Sequence, residues 1–297
     1  MSTSSSSDNG TQPAISVVIG STAPPERLEA CLTALEGQRD GDVEVLVHES
    51  HASPTALRER FPWVRFADRP DALVPELWRD GIDTSQGEIV ALTIAQMVPA
   101  PDWIAQIRSQ HRRFDAVAGA IEPGKGLRLT DWAEYFCRYA RDMLPFPERE
   151  SLDLPGDNAA YKRTLLGSVH ELYRDGFWEP VVHKRLAADG VHLRQAPELV
   201  VELGRSSGWR AFTTQRLRHG RTFGHQRGAG AGKTRALIGL LAAPIVPLLM
   251  TWRVLGQVLQ KRRHRARLLA VLPILFSFNV AWALAEARGY LDILRGR

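Results

Sequence analysis

The feature that most constrains the fold is an alternation of short apolar runs with helical segments between residues 14 and 93. The apolar runs are rich in β-branched residues, which favour strands. Strands that are covered by helices on both faces have near-continuous apolar runs of this kind. The alternation therefore predicts an α/β fold with a mainly parallel sheet. The predicted strands of this part are residues 14–19, 43–47, 64–67 and 89–93.

The last of these strands lies in residues 87–103, GEIVALTIAQMVPAPDW. Pro99 and Pro101 end the extended segment, and Pro101 also suits the first turn of a following helix. Functional side chains of α/β proteins collect at the carboxyl ends of such strands. Ile94, Ala95 and Gln96 occupy that position here. The sequence therefore predicts a turn of the kind that forms active sites, but this turn contains no acidic residue.

Basic residues are concentrated in the C-terminal third. Residues 205–233 contain seven Lys and Arg and no acid, and residues 253–267 contain six more. The second cluster lies between two apolar segments, residues 236–252 and 268–285. Basic clusters beside long apolar runs favour membrane lipid as the partner over nucleic acid.

The two apolar segments contain 17 and 18 residues, near the lower limit of about 17 to 25 for a spanning helix. Their connecting loop, residues 261–267, is as basic as the flank before residue 236. If both helices spanned the bilayer, this loop would lie opposite the cytoplasm, against the positive-inside tendency. The pattern predicts an in-plane or re-entrant hairpin with the globular domain on the cytoplasmic face. Two spanning helices remain the alternative.

Composition divides the chain into three parts. Residues 1–13 are Ser-rich and predict a disordered tail, residues 14–226 a globular domain, and residues 227–297 a membrane-associated helical hairpin. The segment from Gly228 to Thr234 ends like a phosphate-binding loop, but Arg227 occupies its first glycine position and no strand precedes it. The two cysteines predict neither a disulfide framework nor a zinc cluster.

Residues 14–226 resemble the family 2 glycosyltransferases, whose fold is the GT-A type, a Rossmann-like mixed sheet flanked by helices. The motifs that carry the resemblance are the opening strand and polar turn of residues 15–22, Glu49-Ser50 after the second strand, Arg79 and Gly81, the block 89–103, GDNAAYKR at 156–163, and Phe177-Trp178-Glu179.

The resemblance implies a role for each matching residue. Glu179 is the implied base near the acceptor, and Asp157 and Asn158 are the implied contacts to acceptor or sugar hydroxyls. Ser21, Thr22, Glu49 and Arg79 are the implied nucleotide-binding residues. Each role has an alternative. Glu179 could be an ordinary glutamate at the start of a helix, and Asp157 and Asn158 could only shape a turn. Glu49 could be a solvated acid of a loop.

The family also implies Mg²⁺ or Mn²⁺ held by an acidic D-x-D motif. Ile94 and Ala95 cannot bind a metal and Gln96 offers only a neutral carbonyl, so no metal ligand is predicted. Related enzymes place a basic helix near the phosphate site, so the basic side chains of QRLRHGR are the predicted stabilisers of phosphate charge instead: Arg216, Arg218, His219 and Arg221. The alternative is that this basic face meets lipid headgroups.

Two hypotheses follow. The first is a membrane-attached inverting transferase that moves a sugar from a nucleotide diphosphate sugar to a membrane-bound acceptor, with Glu179 as base. The second is a catalytically inactive relative with a structural or regulatory role beside other membrane protein subunits. The missing acids at residues 94–96 are the reason for the second hypothesis.

Overall fold

A mixed sheet forms the centre of the fold in this computed structural model, which describes residues 13–205, 208–229 and 232–296. Within those residues the strand order is β3-β2-β1-β4-β8-β6-β9-β5, and β7 pairs with β9. The strands are β1 Ile15–Ser21, β2 Val43–Glu49, β3 Val64–Asp68, β4 Ile89–Ile94, β5 Met97–Pro99, β6 Ala116–Pro123, β7 Arg149–Glu150, β8 Asn158–Lys162 and β9 Leu193–Leu203. The predicted disordered tail lies outside the described residues, except for Pro13.

Helices connect and cover the strands. They are α1 Pro25–Glu36, α2 Thr55–Arg60, α3 Val74–Thr84, α4 Trp103–His111, α5 Leu129–Tyr139, α6 Arg163–Ser168, α7 Glu179–Ala188, α8 Trp209–Ala229, α9 Gly232–Ala242, α10 Val246–Lys261 and α11 Arg265–Leu294. A short 3₁₀ helix, His170–Tyr173, precedes α7.

The first four strands confirm the α/β prediction. β1 pairs in parallel with β2 and β4, and β2 pairs in parallel with β3. β1 is buried along its whole length, as expected of a central strand between helical layers. α3 packs closely on β1 because Gly81 faces Val18: a Cβ on Gly81 would lie 2.1 Å from the Val18 Cγ1 atom.

The sheet becomes mixed at β8, which runs antiparallel to both β4 and β6. The sequence predicts a turn before Ala159 and two short late strands at residues 191–193 and 199–203. The structure instead has β8 and the single strand β9, which continues through Pro197.

The chain forms two compact units. The first contains the residues up to Ala120 together with Phe146–Glu202, and the second contains Ile121–Pro145 together with the residues from Leu203 onward. α5 therefore belongs to the same unit as α8, α9, α10 and α11. The predicted boundary at residue 226 falls within α8, and the domain limits proposed from composition remain predictions.

In the second unit, α8 packs along α11 through a seam of small residues. Gly220 and Gly224 of α8, in the sequence GRTFG, face the α11 backbone, and Gly289 of α11 faces α8. A Cβ on Gly224 would lie 2.3 Å from the Glu286 carbonyl oxygen. Small residues four apart allow two helix backbones to approach in this way.

The C-terminal apolar segments form three helices. α11 is long and apolar enough to cross a membrane, with a mean hydropathy of 2.1 over its most apolar window, of which 44% is buried. α9 and α10 pass the same test only as a pair, and they are bent by 71° at the break between them. Length and composition of this kind also suit a buried core helix, so the predicted hairpin remains a prediction.

Candidate functional site

The carboxyl ends of the first strands form one edge of the first unit. Ser21 at the end of β1 is in register with Glu49 at the end of β2, which is in register with Asp68 at the end of β3. Backbone bonds continue this order into the loops, since the Ser50 N–H donates to the Ser21 carbonyl at 2.9 Å. Parallel pairing therefore brings the predicted nucleotide-binding residues Ser21 and Glu49 to the same edge.

Glu49 is buried and its carboxylate is bonded within the chain. Its Oε1 atom accepts hydrogen bonds from the Ser53 N–H at 2.9 Å and from Arg58 Nη2 at 2.6 Å. Its Oε2 atom accepts from the Ser53 hydroxyl at 2.5 Å. Glu49 thus holds the loop after β2 against α2. A nucleotide base at this position would have to share the carboxylate with Ser53 and Arg58.

Arg79 lies on the second turn of α3. Its Nη1 atom donates to the Arg174 carbonyl at 2.7 Å, and its Nε atom lies 2.6 Å from Asp80 Oδ1. The side chain therefore links α3 to the segment before α7. Thr22, just past β1, is partly exposed.

The position where related enzymes place metal-binding acids is buried. Ile94, Ala95 and Gln96 are at most 8% exposed, and the Ala95 N–H donates to the Gly20 carbonyl at 3.3 Å. Mg²⁺ and Mn²⁺ require several oxygen ligands, carboxylates above all. The residues present do not fit such a cation, and no group of three His, Cys, Asp or Glu suited to a metal occurs in the described part of the chain.

Trp78 organises the neighbouring part of the edge, and the sequence interpretation missed it. Its indole N–H donates to the Thr93 carbonyl at 2.8 Å, and the Thr93 hydroxyl donates to the Asp157 carbonyl at 2.9 Å. The tryptophan thereby ties α3 to β4 and to the loop before β8. The apolar stripe Val74, Leu77, Trp78 and Gly81, at helical spacing, is the signal that could have revealed it.

Glu179 begins α7 beside this tryptophan. A Cβ on Gly156 would lie 2.6 Å from Glu179 Oε1 and 2.8 Å from the Trp78 ring. Only a glycine leaves room for both groups, so the glycine of GDNAAYKR brings the carboxylate and the indole together. The first turn of a helix favours a negative charge, which suits an ionised Glu179.

Asn158 is completely buried, and its amide is fully used by the chain. Its Nδ2 atom donates to the Ala120 and Leu199 carbonyls, both at 2.9 Å. Its Oδ1 atom accepts from the Trp103 indole N–H at 2.8 Å. The geometry gives this residue a fold-stabilising role, joining β8 to β6, β9 and α4. Asp157 is 6% exposed and contributes its carbonyl to Thr93.

A second chain of polar groups lies in the same unit, with Tyr161 and His183 buried and the Asp153 side chain 43% exposed. No sequence signal indicated it because its members are far apart in sequence. The Tyr161 hydroxyl lies 2.8 Å from His183 Nε2, and His183 Nδ1 lies 2.5 Å from Asp153 Oδ1. The Leu154 N–H also points at Nδ1, at 3.2 Å, so the tautomer of His183 decides whether Nδ1 donates to Asp153 or accepts from Leu154. Burial, and next the charges of Glu179 and Asp153, raise the pKa of Tyr161 well above its usual value.

The predicted phosphate-stabilising residues all lie on α8, in the second unit. Arg218 is exposed, and Arg221 pairs with Asp292 at 2.8 Å. Burial, followed by the charges of Arg138, Arg216 and Arg218, lowers the pKa of His219 to about 4. His219 is therefore neutral at pH 7.

The sheet order and its flanking helices define a glycosyltransferase-like α/β fold with a C-terminal apolar helix. No protein-family model matches the chain, and no curated protein matches it in sequence. Solved structures do match in fold. One is the mannosyltransferase PcManGT from Pyrobaculum calidifontis in complex with GDP-Man and Mn²⁺, which is 16% identical, with a TM-score of 0.51. The match covers 96% of this chain and 76% of that chain. Membership of family 2 remains a prediction.

Proposed function

We propose that this protein is a glycosyltransferase that takes a sugar from a nucleotide diphosphate donor. The observation that carries the proposal is the position of the Glu179 carboxylate, beside Gly156 and Trp78 and next to the carboxyl end of β4. The fold likeness to a mannosyltransferase in complex with GDP-Man supplies the reaction class. The likeness is one of fold, so the sugar and the nucleotide stay open to experiment.

Glu179 is the proposed general base. It removes the proton of an acceptor hydroxyl while the hydroxyl oxygen bonds to the anomeric carbon, and the nucleotide diphosphate leaves with the electron pair of the broken bond. A single displacement of this kind inverts the configuration at that carbon. Glu179 is partly buried beside Trp78, which reduces the water around the carboxylate and strengthens its electrostatic effect.

Charge on the departing diphosphate requires positive groups, and residues 94–96 offer no metal ligand. Arginine side chains and helix N-termini can do this work without a cation. The predicted set Arg218, His219 and Arg221 on α8 is the proposed source of this stabilisation. His219 is neutral at pH 7 and contributes only as a hydrogen-bonding group there.

The proposed setting is the cytoplasmic face of a membrane, with a membrane-bound acceptor. Large apolar side chains of α9 and α10 are exposed, with Leu241 at 72% and Trp252 at 75%. Basic residues flank both helices, which suits anionic lipid headgroups. The C-terminal end of α10 and the loop after it contact residues before and after α5, since Arg263 pairs with Glu122 of β6 at 2.7 Å and Lys261 donates to the Arg141 carbonyl at 2.7 Å. An in-plane hairpin keeps this basic loop on the same side of the membrane as α5, and the two contacts support that arrangement.

The decisive test is donor turnover by the purified full-length protein with uridine and guanosine diphosphate sugars, in Mn²⁺ and in chelator. Glu179→Gln should lower turnover by roughly 100- to 10,000-fold and leave donor binding within about twofold. Glu198→Gln, an exposed glutamate of the same unit, is the matched control and should retain full activity. Equal activity in both variants would remove Glu179 from the mechanism.

One set of observations favours a second function, that of an inactive subunit. Glu49 and residues 94–96, at the implied nucleotide and metal positions, are bonded or buried within the chain. A protein of this kind would bind no nucleotide diphosphate under any metal condition. Calorimetry with uridine and guanosine diphosphates separates the two functions, because saturable binding that survives chelation contradicts the inactive subunit.

A further inference from the structure

His183 lies one helical turn after Glu179 on α7 and is completely buried. The other buried residues of α7, Val182 and Leu186, are aliphatic. Residues four apart lie on the same face of a helix, so His183 and Glu179 share one face of α7. A fixed imidazole on this face therefore also fixes the direction in which Glu179 points.

Both nitrogens of the His183 imidazole have partners outside α7. Nε2 lies 2.8 Å from the Tyr161 hydroxyl of β8. Nδ1 lies 2.5 Å from Asp153 Oδ1 and 3.2 Å from the Leu154 backbone nitrogen. In one tautomer Nδ1–H donates to Asp153 while Nε2 accepts from Tyr161, and in the other Nδ1 accepts from Leu154 while Nε2–H donates to Tyr161. Either tautomer therefore links α7 to β8 and to the loop after β7 at the same time.

The loop that contains Asp153 also contains Gly156, three residues further on. A Cβ on Gly156 would lie 2.6 Å from Glu179 Oε1, so this loop and the carboxylate are in close contact. The Ser151 hydroxyl braces the same loop by donating to the Asp153 carbonyl at 2.5 Å. His183 is thus a hydrogen-bonded link between the helix that bears Glu179 and the loop that Glu179 faces.

Apolar packing alone does not hold α7 in one orientation. The hydrophobic effect is non-directional, whereas a hydrogen bond weakens steeply as its angle changes. Val182 and Leu186 keep α7 on the core, and the hydrogen bonds of His183 resist rotation of α7 about its axis. The His183 ring also stacks on the Tyr161 ring, with centroids 5.9 Å apart and planes at 27°, which restrains the imidazole further.

We propose that His183 is a positioning residue, which holds the Glu179 carboxylate beside Gly156 through the contacts of Nδ1 to residues 153–154. The inference rests on the proposed function, because His183 performs no chemistry itself and acts only through Glu179. Displacement of a reacting group by about 1 Å can lower a rate about 100-fold. The contact to Tyr161 supports the ring but does not reach the loop, so the contacts of Nδ1 are the decisive ones.

Two substitutions of His183 separate the two contacts. His183→Asn places an amide near the position of Nδ1 and keeps the loop contact, whereas His183→Gln places an amide near the position of Nε2 and keeps only the Tyr161 contact. We expect His183→Gln to lower kcat at least about tenfold with the donor KM within about twofold, and His183→Asn to keep kcat within about threefold. Lys184→Gln, at an exposed residue of the same helix, is the matched control and should turn over like the wild type. Equal kcat values of the two His183 variants, measured per folded molecule, would overturn the proposal, because a role in folding alone does not distinguish the two nitrogens.

A double substitution tests whether His183 acts through Glu179. Once Glu179→Gln has removed the base, its position no longer matters, and adding His183→Gln should lower kcat by less than about twofold more. Two independent losses that multiply would contradict the positioning role. Full turnover in Glu179→Gln itself would contradict the proposed function, whereas failure of the positioning role alone leaves the effect of Glu179→Gln intact.

A spectroscopic measurement tests the same point without turnover. Glu179 Oε1 and the Trp78 ring both lie within 3 Å of the position that a Cβ on Gly156 would take. The Trp78 indole N–H resonance, assigned in ¹⁵N-tryptophan NMR with Trp78→Phe, should therefore shift in Glu179→Gln. His183→Gln should move this resonance in the same direction, and His183→Asn should leave it in place. A wild-type Trp78 resonance in His183→Gln would overturn the proposal even for a protein without transferase activity.

Asp153→Ala covers the case in which the His183 variants do not fold. The Asp153 side chain is 43% exposed, so its truncation leaves the core intact. Only the longer contact from the Leu154 N–H then links Nδ1 to the loop, and we expect kcat to fall at least about threefold. A wild-type kcat in Asp153→Ala would contradict the proposal.

Discussion

The carboxyl edge of the sheet and the surroundings of Arg216 contrast in how their buried polar groups are satisfied. At the sheet edge, the carboxylate of Glu49 and the amide of Asn158 are hydrogen-bonded to partners within the chain. Beside α11, the buried Nε and Nη2 atoms of Arg216 have no hydrogen-bond partner in the described residues. A closed network stabilises a fold, whereas buried donors without a partner cost free energy. Buried polar side chains of the two regions therefore differ in what they contribute to stability.

The sharpest test of the closed network is Asn158→Ala. This substitution leaves the Trp103 indole N–H and the Ala120 and Leu199 carbonyls without their partner in a buried site. We expect a loss of about 4 kcal/mol in the free energy of unfolding, from several unsatisfied groups at about 1 to 3 kcal/mol each. Urea denaturation followed by circular dichroism measures it. Gln106→Ala, a control at a residue that bonds an exposed Asp102, should change stability by less than about 0.5 kcal/mol. A stability near that of the wild type for Asn158→Ala would mean that the amide is available for a sugar after all.

The strands and helices at the carboxyl edge of the sheet could be predicted from the sequence, but the contacts between their side chains could not. The first four strands and the helices between them could be predicted because each has a local pattern of apolar residues. Parallel pairing of these strands then determines which strand ends lie side by side. Trp78 belongs to such a stripe, yet its bonds to Thr93 and its contact with Gly156 depend on loops that only the folded chain brings together. The Tyr161–His183–Asp153 chain and the Arg216–Trp282 stack join residues from separate elements, so no local pattern predicts them.

Buried histidines allow a second comparison, because each unit contains one whose pKa is lowered to about 4, His111 and His219. For His111 the cause is burial and next the charge of Lys162. Below pH 6.5 the unfolded chain takes up a proton that the folded imidazole does not accept until about pH 4. Stability therefore falls as the pH drops through this window, by roughly 3 kcal/mol for a lowering of this size.

The corresponding variant is His111→Gln, which cannot titrate and should flatten the loss of stability between pH 6.5 and pH 4. Urea midpoints across this pH range provide the measurement. His192→Gln, which removes an exposed histidine of the same unit, is the matched control. An unchanged slope for His111→Gln would assign the acid sensitivity to other groups.

Two glycines of the second unit should differ in the sign of the stability change when they are replaced by alanine. Both changes should be smaller than those at Asn158 and His111. Gly224→Ala places a Cβ against the Glu286 carbonyl and should cost about 2 kcal/mol by forcing α8 and α11 apart. Gly256→Ala, in α10, meets nothing within 4 Å and should stabilise by about 0.5 to 1 kcal/mol. Thermal unfolding in detergent compares the pair. Equal effects of the two substitutions would contradict the close approach of α8 and α11.

The smallest expected effect concerns Arg221, which follows Arg216 by five residues on α8. Arg221 is 60% exposed at its side chain and already pairs with Asp292 through both Nε and Nη2. Because the guanidinium side of this pair is exposed, Arg221→Lys should cost less than about 1 kcal/mol in the free energy of unfolding. Urea denaturation of the variant and the wild type measures this. A loss above about 2 kcal/mol would show that the pair stabilises the second unit as a buried ion pair does.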